Sequence, residues 1–140
     1  MTIEVFGPKT IPASRLRRLG RRVIEAERGD KPALNLVFVT NRFIRRLNRR
    51  HLNKDKPTNV LAFPGEGNFL GEIYISVDYA KKEAKEIGIG FLTEIDRLVI
   101  PGLLHLLGYT HRAMRTKEGL YLGAVTIRGK FTSGRHRTKC

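Results

Sequence analysis

The sequence predicts an α+β fold, a single domain in which several helices pack against a small, mixed, four-stranded sheet. The length of 140 residues is that of one domain with a substantial core. Hydrophobic residues make up 41% of the chain and charged residues 29%, the balance of a folded globular protein. The predicted elements run strand, helix, strand, helix, two strands and then helices. This order favours helices packed on one mixed sheet.

The first half of the chain predicts two strand–helix units. A short strand over Ile3–Phe6 precedes a helix with Ser14 as its N-cap, and residues 29–32, Gly-Asp-Lys-Pro, end that helix. Leu34–Val39 predicts the second strand, after which Thr40 caps the second helix. The residues of that helix expected to point inward are Phe43, Ile44 and Leu47.

The middle of the chain predicts a hairpin and a third helix. Val60–Phe63 and Ile73–Ser76 have strand composition, and the Gly-rich turn over Pro64–Asn68 allows them to pair. That turn lacks the Lys-Ser/Thr and the following helix of a phosphate-binding loop, so a hairpin is the better interpretation. Asp78–Ile87 predicts an amphipathic helix that Gly88 ends.

A last helix, with Thr93 as its expected cap, carries the stretch LVIPGLLHLLGYTH, residues 98–111. Proline inside a helix removes a backbone hydrogen bond and clashes with a carbonyl, at a cost of roughly 3 kcal/mol. We therefore expect Pro101 to interrupt the helix or to begin a new one, since proline is well tolerated at a first helical position.

Two histidines in this stretch, His105 and His111, are candidate metal ligands. Gly108 between them permits the chain to reverse, and neutral imidazole is a good zinc ligand. A hydrogen-bonded core histidine is the alternative. Catalytic zinc needs three protein ligands and an open position for water. The natural third ligand would lie one turn before His105, where the chain has Pro101.

The net charge of +14 is the strongest global signal, and nucleic acid is the commonest partner of so basic a protein. A merely solubilising surface is the alternative. Residues 112–140 contain eight Lys/Arg and one acid, Glu118, and form a basic tail of changed character. The candidates for RNA contact are basic residues of the second helix and the turn after it: Arg42, Arg45, Arg46, Arg49, Arg50, Lys54 and Lys56.

Several classes of protein are disfavoured. No apolar run reaches the roughly 18–20 residues of a membrane span. The N-terminus has no export-signal pattern, and the single cysteine, Cys140, allows no disulfide within the chain. We therefore expect a cytoplasmic protein.

Three linked motifs give the sequence its family resemblance. The segment PGLLHLLGYTH resembles the motif HGxLHxxGYDH of the YbeY-type endoribonucleases. LNRRHLNKDKPTNVLAFP resembles their LNxxYRxKDxPTDVLSFP, and LGEIYIS resembles LGDIxIS. The resemblance implies an α+β domain, here residues 1–111 followed by the tail 112–140, with a zinc site of three histidines. It also implies action on ribosomal RNA in association with the small ribosomal subunit. We expect neither a membrane nor a small-molecule cofactor as a partner.

The sequence departs from that family at positions that matter for chemistry. Pro101 replaces the first metal histidine, Thr110 the motif's aspartate, and His51-Leu52 its Tyr-Arg pair. Two hypotheses follow: a zinc-dependent endoribonuclease that uses His105 and His111, or an RNA-binding relative with an incomplete metal site. The tail residues that could supply a third ligand are Glu118, His136 and Cys140.

The metzincin peptidases, with their motif HExxHxxGxxH, are a further alternative. Their general base is a glutamate directly after the first histidine. The corresponding residue here is Gly102, which cannot transfer a proton. The sequence therefore disfavours a peptidase.

Overall fold

The computed structural model describes residues 1–109, 117, 118 and 121. Four strands, β1 (Ile3–Phe6), β2 (Ala33–Val39), β3 (Val60–Pro64) and β4 (Phe69–Ser76), form one sheet in the order β1-β2-β4-β3. β1, β2 and β4 are parallel, and β3 is antiparallel to β4. The predicted α+β class, the mixed four-stranded sheet and the β3–β4 hairpin are therefore confirmed.

In residues 1–109, four helices surround the sheet: α1 (Ala13–Glu27), α2 (Asn41–Leu52), α3 (Val77–Ile87) and α4 (Phe91–Leu106). α1 and α4 pack together and against the sheet, while α3 packs mainly against α4. The core between them is apolar and includes Leu16, Leu36, Ile73 and Leu103, all fully buried. α2 packs against β3 and β4.

The close approach of α4 to the sheet depends on Gly102. A Cβ atom added there would lie 3.1 Å from the Ile73 Cδ1 atom and 3.2 Å from its Cγ2 atom, so a larger side chain would push α4 away from β4. Ile73 therefore faces α4. Because side chains alternate along a strand, Glu72 and Tyr74 face the opposite side, where α2 lies. The hairpin thus has an α4 face and an α2 face.

One predicted helix cap is correct and two are wrong, and α3 begins at Val77, one residue before the predicted start. The Thr40 Oγ1 atom accepts a hydrogen bond from the Phe43 N–H at 3.1 Å, so Thr40 caps α2 as predicted. α1 instead starts one residue before Ser14, after Pro12, with no side-chain cap. α4 starts at Phe91 after Gly90, so Thr93 lies within its first turn. In α4 the earlier start places Phe91 against the core.

The expected break at Pro101 is also wrong. α4 continues through Pro101 to Leu106, and its residues 94, 95 and 97–104 are buried. Burial of so many apolar side chains, each worth roughly 1.5–3 kcal/mol, outweighs the cost of about 3 kcal/mol for an internal proline. Packing therefore maintains the helix.

The predicted inward orientation of Phe43 is also wrong, because 42% of this residue is exposed. Ile44 is fully buried, as predicted, and Leu47 is half-buried. In the part of the chain that the structure describes, no helix is both long and apolar enough to cross a bilayer.

Candidate nucleic-acid interface and metal position

The solvent side of α2 is an almost continuous arginine surface. Ile44 and Asn48 are its buried residues, and the positions that turn away from them are basic. Arg42, Arg45, Arg46, Arg49 and Arg50 are all exposed. The predicted basic face is therefore present and available to a polyanion.

Asn48 joins the turn after α2 to the helix. Its side-chain Nδ2 atom donates to the Lys56 backbone carbonyl at 2.9 Å, and its backbone carbonyl accepts from the Lys54 N–H at 3.2 Å. Asn53, with a left-handed φ of 57°, lets the chain reverse between them. Asn48 is fully buried, so these hydrogen bonds are protected from water. It holds the exposed residues Lys54 and Lys56 close to the C-terminal end of α2.

One arginine of this face is already engaged. The Arg45 Nε atom donates to the Asp55 Oδ1 atom at 2.9 Å, and this hydrogen bond lowers the pKa of the Asp55 carboxyl. Both side chains are about half exposed, so the pair contributes little to stability. Its consequence is for binding, because part of the charge of Arg45 is neutralised before any ligand arrives.

The α2 face of the hairpin also has a row of aromatic rings. The His51 ring lies 5.1 Å from the Phe63 ring, which lies 5.8 Å from the Tyr74 ring, which in turn lies 6.3 Å from the Phe43 ring. His51 is exposed and occupies the tyrosine position of the family's Tyr-Arg pair. Leu52, the arginine position, offers no charge.

Pro101 and His105 lie four residues apart in α4 and therefore on one side of that helix. Pro101 is buried and His105 half-buried. The next residue, Leu106, reaches the β3–β4 hairpin, where its Cδ2 atom lies 3.0 Å from the position of a Cβ atom added at Gly71. Gly71 pairs with Pro64, and Phe63 is the strand neighbour of Pro64. Leu106 of α4 and His51 of α2 therefore approach the same end of the hairpin from its α4 and α2 faces, respectively.

The described residues do not supply a complete zinc site. Among residues 1–109, 117, 118 and 121, no three His, Cys, Asp or Glu side chains are grouped as metal ligands. Pro101 has no donor atom, and His111 lies outside the described residues. Of the candidate tail ligands, Glu118 is buried and belongs to no such group, while His136 and Cys140 also lie outside the described residues. Within the described part of the chain, the donor set therefore does not fit a three-histidine zinc ion.

Contacts that the sequence did not indicate hold Tyr109, the last described residue of the histidine motif. The hydroxyls of Tyr109 and Tyr121 both donate to the Glu27 carboxylate, and the Lys117 Nζ atom lies 3.3 Å from the Glu27 Oε1 atom. These hydrogen bonds, led by that of Tyr109, lower the pKa of Glu27. The C-terminal end of α1 thereby holds Tyr109, Lys117 and Tyr121.

A buried polar cluster between β3, α3 and α4 was also missed. The Asn59 Nδ2 atom donates to the Glu83 carboxylate at 3.3 Å, and the Arg97 Nη1 atom donates to the Glu94 Oε1 atom at 2.6 Å. Burial first, and then the Glu94 carboxylate, raise the pKa of Glu83 to about 8. A pair of opposite charges three residues apart in a mostly apolar helix was the signal for Glu94 and Arg97. The cluster lies inside the core, so its role is structural.

The chain thus has the architecture of a basic α+β domain with a cationic surface suited to nucleic acid. A known protein of this architecture is TM1509 from Thermotoga maritima, whose solution structure matches with a TM-score of 0.67 and 29% identity. The match covers 86% of this chain and 87% of that one.

Sequence comparison identifies the family. The family description "Endoribonuclease YbeY" matches residues 6–122. The endoribonuclease YbeY of Persephonella marina is 37% identical over 113 residues, covering 76% of this chain and 74% of its own. That of Geobacter metallireducens is 38% identical over 124 residues, covering 77% and 83%. The chain belongs to the YbeY endoribonuclease family. This membership supports a role as an endoribonuclease, an enzyme that acts on RNA.

Proposed function

We propose that this protein acts on ribosomal RNA during ribosome biogenesis, as a single-strand-type endoribonuclease that works with the small ribosomal subunit in the cytoplasm. The observation that carries the proposal is the exposed arginine face of α2, joined by Asn48 to a lysine-bearing turn. Guanidinium groups bind phosphate through paired hydrogen bonds, so such a face suits an RNA backbone. Family membership makes RNA the appropriate polyanion.

Within this face the basic residues have different roles. Arg45 is paired with Asp55, whereas Arg49 and Arg50 lie in the last turn of α2 beside the anchored turn. Arg49, Arg50, Lys54 and Lys56 are therefore proposed to steer the RNA backbone, with Arg42 and Arg46 extending the contact.

Zinc is the proposed ion for His105 and His111. Two imidazoles fall one short of the three protein ligands that a catalytic zinc requires. We therefore expect weak or substoichiometric binding and assign no reaction step to the metal.

A second candidate function is RNA binding without turnover. It is favoured by Pro101, which occupies the first ligand position as a buried part of an unbroken helix. This catalytically impaired relative would retain the fold and the arginine face. The two candidates share RNA binding and differ only in cleavage.

The deciding experiment combines elemental analysis of the purified protein with a cleavage assay on an end-labelled small-subunit precursor RNA. Cleavage that a chelator abolishes and added zinc restores would support the endoribonuclease. Binding of this RNA without cleavage, at any zinc concentration that leaves the protein folded, would support the impaired relative. Failure to bind the RNA at low salt would contradict both.

A further inference from the structure

We infer that the aromatic row on the α2 face of the hairpin, formed by Phe43, Tyr74, Phe63 and His51, is a base-stacking surface for unpaired RNA. The inference rests on the proposed function in one respect, that the ligand is RNA. The aromatic row would recognise bases, whereas the arginine face of α2 would recognise phosphates.

The four rings form a continuous row of contacts, in which His51 and Phe63 are tilted by 58°, Phe63 and Tyr74 meet edge to face at 75°, and Tyr74 and Phe43 are stacked at 20°. Successive ring centroids lie 5.1, 5.8 and 6.3 Å apart, so the rings extend from the end of the hairpin to the first turn of α2. Phe43 is 42% exposed, His51 is exposed, and Phe63 and Tyr74 are half-buried. Exposed rings of this kind bind nucleic acid by stacking with bases, which is possible only where the bases are unpaired.

The rings are also held in place. The Tyr74 hydroxyl donates to the Glu72 Oε1 atom at 3.1 Å, which fixes the Tyr74 ring on the sheet. Burial first, and then Glu72, raise the pKa of Tyr74 to about 12, so the ring stays neutral at ordinary pH. A platform that is ordered beforehand loses less conformational entropy when it binds a base.

The charge next to the row fits a nucleic-acid strand. Phe43, Leu47 and His51 are four residues apart and form one stripe of α2. Arg46 and Arg50 follow Phe43 by three and seven residues, which places them on the adjacent stripe on the solvent side. A strand that stacks its bases on the rings would therefore have its phosphates beside these two arginines. Arg45, bound to Asp55, lies on the other side of the helix.

The test measures binding of two short ligands at one salt concentration. One is single-stranded oligoadenylate with a single 2-aminopurine, whose fluorescence is quenched when it stacks. The other is an abasic oligonucleotide of equal length, which keeps the phosphates and lacks the bases. The variants are Phe43→Leu and Tyr74→Leu, which remove a ring and keep apolar volume. Phe6→Leu is the matched control, because Phe6 is a 50% exposed ring on β1 outside the row.

We expect the unaltered protein to bind oligoadenylate more tightly than the abasic ligand and to quench 2-aminopurine. Phe43→Leu should weaken oligoadenylate binding about tenfold and reduce the quenching. It should leave abasic binding unchanged, and Phe6→Leu should alter neither. Because Phe43 is exposed, this variant is expected to fold, and circular dichroism would verify this. Tyr74→Leu tests a second point of the row.

The inference would be overturned if the unaltered protein bound both ligands equally, or if both ring variants retained full quenching. Either result would leave the RNA binding of the proposed function intact. Absence of binding to both ligands at low salt would instead contradict the proposed function itself, and the inference with it.

Discussion

Pro101 and His105 lie one turn apart in α4, a helix that continues unbroken from Phe91 to Leu106. A side chain at position 101 therefore projects from the same side of the helix as the His105 ring. The helical backbone that would place two histidines on one side of α4 is thus retained, and only the donor atom at position 101 is missing.

We therefore expect Pro101→His to gain a metal site. The substitution supplies an imidazole one turn before His105, and it restores a backbone N–H that can donate to the Arg97 carbonyl four residues earlier. The variant should bind about one equivalent of zinc tightly, where the unaltered chain binds weakly. Metal binding should also raise the melting temperature in proportion to the logarithm of zinc concentration. Elemental analysis and thermal melts with and without zinc measure both effects.

Leu92→His is the matched control for this gain. It adds a histidine to the same helix, at a 39% exposed position more than two turns from His105. It should bring no tight zinc. If the unaltered protein purified with one full equivalent of tightly held zinc, the two-histidine argument would be wrong.

RNA binding should weaken steeply with salt. Each phosphate contact releases counterions, and for single strands the logarithm of the affinity falls with log salt by about 0.7 per contact. Replacing Arg46 and Arg50 together by Gln should reduce that slope by about 1.4. Arg45→Gln should change the slope less, since Arg45 is already paired with Asp55. Fluorescence titrations between about 50 and 200 mM salt would measure this, and a salt-independent affinity would exclude the arginine face as the RNA contact.

Most of the fold was predictable because its signals are local. Thr40 as a cap, Gly88 as a left-handed helix end with φ of 86°, and the turn at Pro64–Asn68 all appear where the sequence placed them. Local signals failed where packing dominates: burial of α4 carries the helix through Pro101 and begins it before Thr93.

The candidate site was only partly predictable, for a physical reason. The arginine face follows from helical periodicity alone. The row that joins Phe43 to Tyr74 and Phe63, and the anchoring of Tyr109 by Glu27, connect residues far apart in sequence. No periodic pattern reports such contacts.

The lysine-bearing turn should depend on Asn48. In Asn48→Asp the side chain keeps its shape but loses the N–H that donates to the Lys56 carbonyl, and it places a carboxylate in a buried position. We expect a loss of about 2–4 kcal/mol in the free energy of unfolding. RNA affinity should also fall, because Lys54 and Lys56 are no longer held beside α2. Chemical denaturation and RNA titration measure the two effects, and a variant with unchanged stability would contradict the anchoring role.

The stability of the fold should depend on pH through the buried Glu83. The Glu83 carboxyl is held by the Asn59 amide inside the core, and its pKa is raised from 4.5 to about 8 by burial and by Glu94. In the folded protein Glu83 therefore keeps its proton up to about pH 8, whereas in the unfolded chain it loses the proton near pH 4.5. The folded state binds more protons between these values, so this group makes stability fall as pH rises through that window.

Glu83→Gln imitates the protonated form at every pH, and its amide can still accept from Asn59 and donate to Glu94. We expect the variant to match the unaltered protein near pH 4.5 and to melt about 3–8 °C higher near pH 9. Thermal melts across this range measure the difference, with Glu86→Gln on the same helix as an exposed control. A Glu83→Gln variant that is no more stable than the parent near pH 9 would contradict the raised pKa of Glu83 in the folded state.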